Sequence, residues 1–86
     1  MKKNALRRLL DGENFNPNVY CLDGGLPNDR LCLTFEVGRW CDYYSERGSR
    51  FDEEYFASED EACDNLLRRL RELPPSQTLL RHSSQP

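Results

Sequence analysis

The strongest constraint on this chain is a helix start followed by an apolar stripe. Ser58-Glu-Asp-Glu61 has the spacing of a capping box, in which Ser58 accepts from the third amide of the helix and Glu61 returns to Ser58. Downstream, Ala62, Cys63, Leu66, Leu67, Leu70 and Leu73 recur at helical spacing and form a packing face. Glu59, Asp60 and Glu61 at the start, with Arg68, Arg69 and Arg71 near the end, match the helix dipole. Leu73-Pro74-Pro75 ends the helix. The rest of the chain has to supply a surface for that apolar face.

The surface is expected to be a sheet. Over Arg30 to Val37, Leu31, Leu33, Phe35 and Val37 alternate with Cys32, Thr34 and Glu36, the period of a strand with one packed face. A turn at Gly38-Arg39 leads to a strand from Trp40 to Glu46, with Trp40, Asp42 and Tyr44 on one face and Cys41, Tyr43 and Ser45 on the other. Aromatics on both faces imply either two covered faces or an aromatic contact surface. Arg47-Gly48-Ser49 turns the chain into a weaker, acidic strand, Arg50 to Phe56, suited to a sheet edge. Upstream, Lys2 to Leu10 reads as a short amphipathic helix stopped by Asp11-Gly12, where Gly12 is available for a left-handed cap. Pro17 keeps Asn16 extended, Val19 to Leu22 is a short strand, and Asp23 to Asp29 reads as a hairpin loop. The predicted fold is α+β: a small antiparallel sheet of three to four strands, with an N-terminal and a C-terminal helix packed on it.

Eighty-six residues suffice for one domain, placed at 1–75, with a loosely held tail over 76–86. No signal peptide and no run long enough to span a membrane is seen, so a soluble cytosolic protein is expected. Cys21, Cys32, Cys41 and Cys63 include no C-x-x-C pair, and the sole His, His82, lies in the tail, so no metal site is expected. Four Cys would permit two disulfides in an oxidising compartment; in a reducing one, the favoured reading, the thiols are small buried hydrophobes. No base stands beside a nucleophile, and the carboxylates are consecutive rather than convergent. An enzyme and a bound cofactor are therefore not expected. Gly24-Gly25 lacks the remainder of any phosphate-binding motif.

Charge is segregated. Asp42 to Asp64 holds nine acidic residues against Arg47 and Arg50, a local charge of −7, while basic residues gather near the ends. That disfavours nucleic acid and membrane as partners and favours a basic protein, or else marks a solvated acidic face.

Trp40, Tyr43-Tyr-Ser-Glu-Arg-Gly48, Phe56-Ala-Ser-Glu-Asp-Glu-Ala-Cys63 and Leu66-Leu67-Arg-Arg-Leu70 together resemble small bacterial immunity proteins encoded beside polymorphic toxins. Asn16-Pro-Asn-Val-Tyr20 and Asp23-Gly-Gly25 extend the resemblance over about residues 15–73. That group tends to carry an apolar residue where this chain has Asp42. The resemblance implies stoichiometric neutralisation of a cognate toxin, through an acidic, aromatic-studded edge that occludes a basic or anion-binding cleft. The resemblance carries no contact residues across; from the charge and aromatic content of the edge, Tyr43, Glu46, Arg47, Asp52, Glu53, Glu54 and Glu59 are expected to form the partner-binding surface. The alternative is an adaptor or structural module that homodimerises through edge strands or helix faces.

Overall fold

A computed structural model describes residues 1–80. Its elements are helix α1 (Lys3–Gly12), strands β1 (Tyr20–Cys21), β2 (Arg30–Glu36), β3 (Arg39–Glu46) and β4 (Ser49–Phe56), then helices α2 (Glu59–Glu72) and α3 (Pro75–Thr78). The predicted helix–sheet–helix α+β order is the order found.

Helix α2 forms as its sequence dictates. The Ser58 side chain accepts from the Glu61 N–H at 3.1 Å and donates to the Glu61 carboxylate at 3.2 Å. Ala62, Cys63, Leu66, Leu67 and Leu70 are all buried against the sheet. Leu6 and Leu10 of α1 join the same core, with Leu31 and Leu33 of β2 as its floor. Helix α1 runs through Gly12, and the left-handed residue is Asn14 instead. The Asn14 and Phe15 amides donate to Asp11 and Leu10, a Schellman closure in which Asn supplies the positive φ and Phe15 the apolar contact.

The sheet order is β1-β2-β3-β4, so β4 is an edge strand, as its charge suggested. The sheet is mixed rather than wholly antiparallel: Tyr20 and Cys21 run parallel to Leu31 and Cys32. Residues 22–29 are accordingly not a hairpin turn but a loop folded back over the sheet. Gly24 allows this. It sits at φ +73° and donates to the Leu33 carbonyl, and a Cβ there would lie 2.8 Å from Thr34 Oγ1. The two hairpins turn at Val37-Gly38 and Arg47-Gly48, all four residues with positive φ. Val37 therefore belongs to a turn tip rather than to a strand, and the predicted Gly38-Arg39 turn is displaced by one residue.

Both sheet faces are covered. The helices cover the Leu31, Leu33, Trp40 and Tyr44 side. On the opposite side Cys32, Cys41 and Tyr43 form a second cluster with Cys21 against it. All four thiols are free. Burial pushes those of Cys32 and Cys63 up to about 11, the behaviour of buried apolar residues rather than nucleophiles. The chain after α2 is also held: Thr78 is buried, its carbonyl accepts from the Asn16 N–H at 2.7 Å, and Leu79 bridges to Phe15. Backbone hydrogen bonds at Thr78 and Leu80 and the Phe15–Leu79 bridge tie residues 78–80 to the 14–16 segment, so the expected loose tail does not begin at 76. Residues 81–86 lie outside those described.

Candidate functional site

Strand β4 carries the only outer edge on its side of the sheet, and a β-bulge divides it. Asp42 pairs with Glu54 and Tyr44 with Phe51, so Asp52 and Glu53 together stand opposite Tyr43. Asp52 takes φ +54° to accommodate the extra residue. The bulge reverses the side-chain alternation along the strand. Phe51, Glu54 and Phe56 pair with residues of the helix-side face, while Arg50 and Tyr55 pair with residues of the other.

Three consecutive acids therefore go to three environments. Glu53 turns to the face away from the helices, where Arg50 lies at 3.4 Å and the Tyr55 hydroxyl donates at 3.2 Å. Glu54 faces α2, accepts from Asn65 Nδ2 at 2.8 Å and pairs with Arg69 at 3.5 Å. Asp52 projects from the bulge, its backbone carbonyl accepting from Arg69 at 3.2 Å. Among the described residues its carboxylate pairs with no cation. Arg69, only 13% exposed, thus ties α2 to the bulge from beneath.

A buried carboxyl sits behind this network. Asp42 is fully buried, with Oδ2 accepting from Asn65 Nδ2 at 3.0 Å and Oδ1 without a partner. Loss of water raises its pKa to about 7, against the opposing pull of the Asn65 hydrogen bond and of Arg69. Asn65 bridges Asp42 to Glu54, so the core of β3 is linked to the edge of β4 through one amide.

The expected partner-binding residues do not all share this surface. Tyr43 is fully buried: its hydroxyl donates to the Gly25 carbonyl at 2.6 Å and Arg50 lies 4.2 Å above its ring. It is a structural residue, because the 22–29 loop covers the face it occupies. Glu59 accepts from the Lys3 amide at 2.7 Å and joins the starts of the two long helices, so it too is committed to the fold. Glu46, Arg47, Asp52, Glu53 and Glu54 lie along one hairpin and its outer strand. Arg47, at the tip, is 90% exposed.

Two aromatics missing from the expected set belong there. Phe51 is 47% exposed on the helix-side face and Tyr55 is 43% exposed on the other, with Arg39 stacked 4.0 Å over its ring. Next to Phe51, the uncovered end of the sheet and the end of α2 enclose a groove. It consists of two adjoining hollows of about 390 and 540 Å³ that share Leu31, Tyr44 and Leu73. Its rim carries Asp29, Asp52 and Glu72. Among the described residues, no three His, Cys, Asp or Glu side chains converge to hold a metal ion. No helix there is long and apolar enough to cross a membrane.

Compared with known proteins, the chain matches no family model, no curated protein and no solved structure.

Proposed function

We propose that this protein is an immunity-type inhibitor that binds a cognate toxin stoichiometrically and occludes its active site. The β3–β4 hairpin and the outer strand β4 form the contact surface. One observation carries the reading: the sheet ends in an uncovered strand bearing Asp52, Glu53 and Glu54 beside the exposed aromatics Phe51 and Tyr55. Carboxylates on a rigid edge attract a basic cleft from a distance, and aromatics supply the short-range contact that slows dissociation.

The same edge argues against self-pairing. Two copies of β4 aligned antiparallel about their centres would oppose acid with acid, a destabilising arrangement on a sheet. A partner with the opposite charge removes that repulsion. This favours an inhibitor over a module that dimerises through its edges.

Co-expression of this chain with each candidate toxin encoded by a gene adjacent to its own tests the reading. Growth restored by the wild-type chain, with a 1:1 complex on copurification, supports it. Growth arrest that persists when both proteins are made would overturn it.

A further inference from the structure

We infer that the groove beside Phe51 receives an apolar side chain from an extended, lysine- or arginine-rich segment of the protein partner, laid along the Ser49–Asp52 half of β4. This rests on β4 being the partner-binding edge and adds the chemistry of what docks there.

The groove floor is apolar, made by Leu31, Tyr44 and Leu73, and its hollows of about 390 and 540 Å³ have room for a leucine- or phenylalanine-sized group. Its rim selects charge. Asp29, Asp52 and Glu72 supply three carboxylates, whereas Arg69, the one cation lining it among the described residues, is already engaged by Glu54 and the Asp52 carbonyl. Glu72 shares Arg68 at 2.8 Å, and Asp29 accepts from the Tyr44 hydroxyl at 3.2 Å. Asp52 has no such partner among the described residues. An incoming ammonium or guanidinium would therefore meet an uncompensated carboxylate at the bulge.

Geometry favours an extended segment over a helix. The bulge opens the ladder opposite Tyr43, and the hairpin register puts Phe51 on the helix-side face, next to Tyr44. A strand added outside Ser49–Asp52 carries every second side chain over that same face. One apolar side chain on it falls past Phe51 into the groove, while the residues two positions to either side, on the same face, meet Asp52 and the rim. A second copy of this chain lacks the chemistry, because its own β4 would bring acids to that rim.

The test is an NMR titration of the full-length, isotope-labelled chain with three blocked heptapeptides: Ser-Lys-Ser-Leu-Ser-Lys-Ser, its Lys/Ser analogue with Ser in place of Leu, and its acidic analogue with Glu in place of Lys. The expected result is shifts at Ser49–Asp52 together with Leu31, Tyr44 and Leu73 for the first peptide. The Lys/Ser peptide should bind at least tenfold more weakly, and the acidic one should not bind. The paired change Asp52→Asn with Glu72→Gln, both at exposed positions, should weaken the first peptide at least threefold. Equal affinity for the Lys/Ser peptide, shifts that spare the groove, or no binding would overturn the inference.

A toxin captured with unchanged Kd by the Asp52→Asn, Glu72→Gln chain also overturns it, and leaves the inhibitor reading standing. Peptide binding as described, with no protection against any candidate toxin co-expressed with the chain, does the reverse.

Discussion

At the scale of single residues, Asp42 holds the largest electrostatic cost. An Asp in the unfolded chain ionises near 3.9, whereas the fold keeps this carboxyl protonated up to about 7. Below pH 4 both states carry the proton and no penalty arises. As pH rises from 4 to 7 the unfolded chain ionises first, so stability falls, and above 7 the penalty is complete. Arg68 and Arg69 of α2 oppose the shift, while Glu54 of β4 and Cys63 of α2 face the same buried region. Glu36 and Asp60, whose carboxyls are held below their ordinary range by Arg50 and by the terminal amine, act in the opposite sense but only at more acidic pH. Between pH 5 and 8 the Asp42 group should therefore cost the fold up to about 3 kcal/mol. Asp42→Asn should remove most of that loss, measured by urea unfolding at both pH values. Parallel pH profiles for the two proteins would contradict the assignment. The alternating pattern placed Asp42 on the Trp40–Tyr44 face, but not under Asn65. Only the packing of α2 across β3 shows that, because burial depends on a residue distant in sequence.

Val37 shows the same limit from the other side. Its apolar side chain continued the alternation of β2, yet it is 95% exposed at φ +52°. This two-residue turn has positive φ at both central positions, and only Gly38 takes it without steric cost. A β-branched residue is strained there. Val37→Asn should stabilise the protein by about 1 kcal/mol, read as a higher urea midpoint with an unchanged slope.

At the scale of elements, α2 was fully legible and β4 only partly so. Capping, apolar spacing and terminal charges are local signals, and in α2 all three agree. In β4 the edge position followed from charge, but the bulge did not follow from alternation. A clue exists in the spacing of Phe51 and Phe56. Both contribute to the helix-side face, and residues five apart cannot share one face of a regular strand. One residue between them must be extra, and Asp52 is a residue type that tolerates left-handed backbone. Asp52→Val should cost about 1–3 kcal/mol through strain at that φ, while Asp52→Gly should be neutral or mildly stabilising. Thermal unfolding of the pair separates backbone strain from loss of the carboxylate, since both variants remove the charge. The aromatics Phe51 and Tyr55 went unassigned for the same reason: only the bulge puts them on opposite faces.

At the scale of the whole molecule, the α+β order was readable because each element carries its own period and its own stop. The covering of the second face was not. It depends on the 22–29 loop folding over Cys32, Cys41 and Tyr43, and the parallel β1–β2 pair that allows this spans only two residues. That cover turns Tyr43 from an expected contact into a core residue and leaves β4 as the exposed edge. Repulsion along β4 should keep the chain monomeric. Sedimentation equilibrium at about 100 µM should give a single monomeric species at low salt. A combined Asp52→Asn, Glu53→Gln, Glu54→Gln chain should shift towards dimer. If the wild-type chain dimerises through β4 at low salt, the repulsion argument fails.

The most direct measurement is the association rate of the purified chain with a toxin that it neutralises on co-expression, as a function of salt, for wild type and for Glu53→Gln with Glu54→Gln. These changes keep the side-chain shape and the hydrogen-bonding carbonyl while removing two charges from the edge. Wild type should associate about tenfold or more faster at 20 mM than at 500 mM salt, and the variant should be slower at low salt with a flatter dependence. Identical rates and identical salt slopes for the two proteins would contradict β4 as the surface that meets the partner.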